Sequence, residues 1–241
     1  MEGENTFNNI EEVLSQIPDN YKIMEEIIDL ETQKDYFEST KSLAFDPQTD
    51  QMDKLILQLN NPDTETDELK TVLMKLSMID AVESFRAIEK YYKAPRPELK
   101  EWTLLSLQQS RMVIQSSLMG EQQVFISTGL GGKNDKLRYY LIFPYQSVSE
   151  LNNIQSDALT SELHFFLERN NGVIEEVEFQ TDFATAMILL PLKANIPEIV
   201  KEILNECNQL GNYLSDDVLI TNMKRFSHDE IVEILEKYEQ Q

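Results

Sequence analysis

The chain has 241 residues, 41% of them hydrophobic, and a formal net charge of −22. That length supports one large core or two of ordinary size. Its longest apolar run, 184–192, falls far short of the roughly 20 residues a membrane helix needs. The charge argues against sequence-independent binding to a phosphate backbone and against an anionic membrane surface.

The charge is unevenly placed. Residues 1–53 carry 14 Asp/Glu against 3 Lys/Arg, residues 54–120 carry 9 against 9, and residues 121–241 carry 20 against 9. The segments therefore net −11, 0 and −11, a distribution that suits steering toward a basic partner. The start of the chain is acidic and lacks a basic then apolar leader. With Cys207 as the single cysteine, no internal disulfide can form. Both features point to a cytoplasmic location.

In chain order, 10–17 and 21–37 read as helices separated by Pro18-Asp19-Asn20. Ile23, Ile27, Leu30 and Phe37 are expected on one face of the second, with Glu25, Glu26, Asp29 and Glu31 on the rest. A polar loop covers 41–52, and a short helix runs from Met52 to a stop at Asn60-Asn61-Pro62. Leu69, Val72, Leu73 and Leu76 recur at helical spacing. Asp80 and Glu83 suggest a capping box for a helix burying Val82, Phe85, Ile88 and Tyr92. Pro97 suits the first turn of a helix running through Trp102 to about Met119.

After Gly120 the apolar period changes to two. Strands are expected at 123–128, 136–143, 173–181, 183–192 and 217–223, with helices at 156–170, 195–210 and from Ser227 onward. Asn195 and the Ser227–Glu230 box mark two helix starts. Strands 137–143 and 184–192 are apolar on both sides, so both sheet faces need cover.

The string DAVESFRAIEKYYKAPRPELKEWTLLSL, within 64–119, resembles a HEAT-type helical repeat. The β-α-β-β-α-β order from residue 136 resembles a ferredoxin-like split βαβ unit, and also the small α/β domains of bacterial secretion chaperones and amino-acid-sensing regulatory proteins. The resemblances imply an α+β chain: acidic N-terminal helices and a short HEAT-like helical domain in 1–120, then a ferredoxin-like antiparallel sheet domain with helices on one face in 121–241.

Chemistry-bearing motifs are sparse. The loop Gly129-Leu-Gly-Gly-Lys133 leads into a strand, not a helix, and Asn134 follows the lysine, so it reads as a hairpin turn and not a phosphate cradle. His164 and His228 are far apart, no metal-ligand spacing exists, and Cys207 beside Glu206 should hold its proton. Asp216-Asp217 and Glu175, Glu176, Glu178 lack the glycine-bearing pattern of a hard-cation loop. No cofactor, metal or catalytic residue is expected.

The expected function is therefore a non-enzymatic adaptor, chaperone or assembly factor for a basic protein, without tight nucleic-acid or membrane binding. The alternatives are a small-ligand-sensing regulatory domain that dimerises through an open sheet face, or an acidic nucleic-acid mimic. The expected contact residues are Glu25, Glu26, Asp29 and Glu31, together with a basic ridge of Arg86, Lys90, Lys93 and Arg96.

Overall fold

A computed structural model describes residues 21–47, 51–121 and 124–239. The helix expected at 10–17 and the break at 18–20 lie outside them. Among the described residues the chain is mixed α and β, with eight α-helices and a curled antiparallel sheet. It divides into two compact units: one holds Ile23–Ile27 together with residues 127–239, the other residues 21–22 and 28–126. No described helix is long and apolar enough to cross a membrane.

The helical unit contains α1 (Leu30–Ser42), α2 (Met52–Asn60), α3 (Thr66–Met78), α4 (Val82–Tyr92) and α5 (Lys100–Met119), the last entered through a short 3-10 turn at Pro97–Leu99. Helix α5 is central. Its run Trp102–Gln108 is buried all round, as expected of a helix packed on several sides. Tyr36 of α1 is fully buried against Trp102, and its hydroxyl hydrogen-bonds Ser77 and donates to Gln109 Oε1 at 2.6 Å. Leu69, Val72, Leu73 and Leu76 of α3 are buried as their spacing requires.

Two readings of this region are corrected. Residues 21–37 do not form one helix. Tyr21–Ile23 is a strand, β1, which pairs with β2 (Val124–Ile126), and α1 begins only at Leu30. The Asp29 carboxylate stops the helix extending backwards by accepting a hydrogen bond from Thr32 N, so it works as an N-cap. Ile27 and Phe37, expected to be buried, are 64% and 52% exposed. The Asp80 box also fails to form. Ala81 is the N-cap, without a side-chain bond, and Val82 stays exposed.

The second unit is built on β4 (Lys136–Pro144), α6 (Asn153–Arg169), β5 (Val173–Phe179), β6 (Phe183–Pro191), α7 (Ile196–Asn208), β7 (Leu219–Thr221) and α8 (His228–Glu239). The spatial strand order is β7-β4-β6-β5, all antiparallel, and β3 (Gly132–Lys133) shares with β7 the remaining edge of β4. The tight β3–β4 turn places Asn134 and Asp135 in left-handed conformations, at φ 53° and 57°. Strand 123–128 therefore does not hairpin with β4, because its described part pairs with β1 instead. Helix α6 starts three residues before the expected Ser156, where Asn152 and Gln155 close a capping box.

Alternation along β4 and β6 separates two cores. Leu141, Phe143, Ala184, Ala186, Ile188 and Leu190 face α6 and α7. Tyr140, Ile142, Phe183 and Met187 face the other way and pack with Leu130 and with Ile231 of α8. The C-terminal helix thus covers the second sheet face. The expected homodimer through an open face is corrected on this ground, since the apolar side chains that needed cover already have it.

Candidate functional site

Where β4 ends, β6 begins and β7 approaches α8, the chain leaves a cleft of about 780 Å3. Three backbone segments frame it. Tyr145 N donates to Asp182 O at 2.8 Å, Asp182 N donates to Ser149 O at 2.8 Å, and Ser215 N donates to Pro144 O at 2.9 Å. Ser147 and Asp182, both on its wall, have left-handed backbones at φ 65° and 69°. Such conformations cost about 1 kcal/mol in a residue with a Cβ, and Asp tolerates them better than most.

The floor of the cleft is apolar, formed by Phe183, Leu219, Val232 and Leu235 among others. Its polar groups are Ser147, Ser215, Tyr145 and the exposed carboxylates Asp182, Asp217 and Glu236. No Lys, Arg or His lines it. The Tyr145 hydroxyl is buried and has no hydrogen-bond partner among the described residues. Burial, and then the charge of Asp182, push this phenol up to about 12.

Three other carboxylates of this unit pair with arginine. The register of β5 on β6 slips between Ile174 and Glu176. Glu175, inside the slip, forms a two-armed pair with Arg138, one arm at 3.0 Å. The Arg138 hydrogen bond holds the Glu175 carboxyl below its ordinary 4.5. Glu176 and Glu178 bind Arg225 at 2.6 and 2.9 Å. Glu176 and Glu178 thus tie β5 to the segment that leads into α8.

The residues expected to contact a partner are dispersed. Glu25 Oε1 accepts from Asn134 N at 2.9 Å, Glu26 is half-buried, Asp29 caps α1, and Glu31 is exposed. Arg86, Lys90 and Lys93 are exposed on or just after α4. Arg96 is not: its guanidinium donates to Pro62 O and Thr64 O, both at 2.8 Å, and to Thr66 Oγ1 at 3.4 Å. The glycine loop serves packing. A Cβ on Gly131 would lie 2.6 Å from the carbonyl oxygens of Glu25 and Glu26, and one on Gly132 would lie 2.2 Å from Lys136 O.

His164 is exposed on α6, and His228 is exposed with its ring centroid 5.4 Å from that of Phe183. Cys207 is buried, and burial pushes its thiol up to about 11. Among the described residues no group of three His, Cys, Asp or Glu side chains could hold a metal ion. The cleft residues Tyr145, Ser147, Asp182 and Ser215 carried no motif. Asp182 had one signal, its place between two strands, where a left-handed turn residue is needed.

No family model matches the chain, and no curated protein does. Solved structures do. One is a protein of Deinococcus radiodurans R1 assigned as a transposase, 18% identical, covering 44% of this chain and 91% of its own, with a TM-score of 0.35. Another is a REP-associated tyrosine transposase bound to a REP hairpin, 12% identical, covering 40% of this chain and 61% of its own, with a TM-score of 0.32.

These findings correct the expectations of identity and function. The neighbours are transposases and not HEAT repeats or a ferredoxin-like adaptor, and the degenerate spacing of amphipathic helices accounts for the false HEAT likeness. Against the expected non-enzymatic adaptor or chaperone for a basic protein stand neighbours that are transposases, and that expectation is not carried further. One neighbour holds a nucleic-acid hairpin, so the exclusion of nucleic acid is set aside too.

Proposed function

We propose that the second unit is a ferredoxin-like domain that binds a small molecule in the cleft between its own strand ends and α8. The observation that carries this reading is the cleft itself. Its volume of about 780 Å3 falls within the roughly 300–1,000 Å3 typical of small-molecule sites, and it combines an apolar floor with a few polar groups. The ferredoxin-like assignment is supported by the strand order β7-β4-β6-β5 with α6 and α7 on one face.

The domain boundary near residue 120 is supported by the division of the chain at 126–127, with Ile23–Ile27 as an exception. A cytoplasmic location is supported by the lone, buried thiol of Cys207. Of the expected contact residues, Glu31, Arg86, Lys90 and Lys93 are exposed and their side chains make no hydrogen bond or ion pair among the described residues, and charge reversal at these positions tests a surface role.

The cleft reading is tested by a thermal-shift screen of small metabolites, with a DNA hairpin as a parallel arm. A ligand at 100 times its Kd stabilises by about 2.7 kcal/mol. At least one small molecule should raise Tm in the wild-type chain and fail to do so in Leu219→Trp or Val232→Trp, which fill the cleft. Stabilisation that survives both substitutions, or that only the hairpin produces, overturns the reading.

A further inference from the structure

We propose that a second, smaller cavity in this unit binds an uncharged six-membered ring with a carbonyl beside an N–H, the pyrimidine-base class. The cavity, of about 200 Å3, lies between the second sheet face and the start of α8, and shares only Phe183 with the cleft described above. Two of the residues that line it, Tyr140 and Thr185, are each 3% exposed, and neither hydroxyl has a hydrogen-bond partner among the described residues. Hydroxyls held this far from water are nearly always bonded. Two of them around one space call for a guest that answers both.

The strand register brings the two together. Tyr140 stands opposite Met187 and Ile142 opposite Thr185, so Thr185 is the diagonal neighbour of Tyr140 on one face, within reach of an aromatic side chain. Glu178 stands opposite Thr185 on β5. Arg225 reaches over both, bonded to Glu176 and Glu178 at 2.6 and 2.9 Å and lying 5.8 Å from the Tyr140 ring centroid.

Size, shape and charge then select the guest. An apolar cavity of about 150 Å3 holds one benzene ring, so this one takes a single ring with substituents in preference to a fused pair. Tyr140, Phe183, Phe226 and His228 give it flat walls, with the Phe183 and His228 centroids 5.4 Å apart. The lining carboxylate, Glu178, and the lining guanidinium, Arg225, already pair with each other, so a charged guest finds no spare counter-charge in them. A hydroxyl both donates and accepts. Tyr140 and Thr185 can therefore meet a ring carbonyl and the N–H beside it, which a hydrocarbon ring lacks.

The test is a ligand-observed NMR titration of the full chain with uracil, toluene and adenine. Uracil should bind most tightly, toluene more weakly for want of polar atoms, and adenine more weakly for its size. T185V and Y140F each keep the side-chain shape and remove one hydroxyl. Each should weaken uracil about fivefold, the worth of one hydrogen bond, and leave toluene unchanged or tighter. Leu219→Trp, which fills the larger cleft, should leave uracil unchanged. Uridine and a thymidylate oligomer present the ring free and on a strand; binding of either that weakens in the hydroxyl variants supports the site, and the tighter of the two names the source. Failure of uracil, uridine and the oligomer alike to bind, toluene or adenine binding as tightly as uracil, or equal uracil affinity in the wild type and both hydroxyl variants overturns the proposal and leaves the cleft reading standing. Loss of uracil binding in Leu219→Trp also overturns it, by moving the ring into the larger cleft.

Discussion

Replacing Tyr145 by phenylalanine should make the protein more stable. The substitution keeps the ring and removes one hydroxyl, which is buried without a partner among the described residues. Holding such a group away from water costs about 1–3 kcal/mol, and a neutral hydroxyl lies at the lower end. A gain of about 1 kcal/mol is expected, and at roughly 2–8 °C per kcal/mol for domains in this size range the Tm should rise by a few degrees. Urea unfolding should give a higher midpoint with an unchanged slope.

A second signature comes from proton linkage. The Tyr145 phenol is raised from 10.0 to about 12 in the folded chain, by burial and then by Asp182. Because its folded value lies above its unfolded one, the associated stability is fully present below pH 10 and is lost as the pH climbs toward 12. The phenylalanine variant should lose stability less steeply across that interval. A fall in Tm on substitution, or an alkaline profile identical to the wild type, would show that the hydroxyl is satisfied and refute the reasoning.

Three further outcomes are expected. Ile231→Ala should destabilise the chain by about 2–5 kcal/mol, read by urea unfolding, because that side chain is 2% exposed and anchors α8 to the second sheet face. Glu175→Gln should flatten acid unfolding followed by circular dichroism: Arg138 depresses this carboxyl below 4.5, so its stabilising contribution is present above that pH and lost as the pH falls through the lower folded value. Arg96→Lys should cost about 1–3 kcal/mol in Tm-derived stability, since an ammonium cannot span the carbonyls of Pro62 and Thr64 together with Thr66.

The parts of the fold legible in the sequence are those fixed by local chemistry. Asn195 caps α7 by accepting from Glu198 N, and Ser227 and Glu230 close their box as their spacing implies. The alternation within β4 and β6 was hidden, because Tyr140 and Ile142 are as apolar as Leu141 and Phe143. Only α8 packing on the second face explains why both sets are needed. The start of α1 is obscured because Ile23, Ile27 and Leu30 recur at helical spacing, while the Asp29 cap that delays the helix resembles any other acid in an acidic stretch. The cleft was illegible for a different reason. Its walls come from four separate places along the chain, and its marked conformations, at Ser147 and Asp182, belong to residues that populate ordinary loops.

Ile23–Ile27 completes a unit whose other described residues begin at 127. At a synthesis rate of roughly 5–20 residues per second, this early segment leaves the ribosome on the order of 5–20 s before the loop it seats against exists. Ile23 and Met24, buried in the finished protein, meanwhile lack the surface that will bury them. A fragment starting at residue 121 would lack this clasp, and the glycines that made room for it would face water.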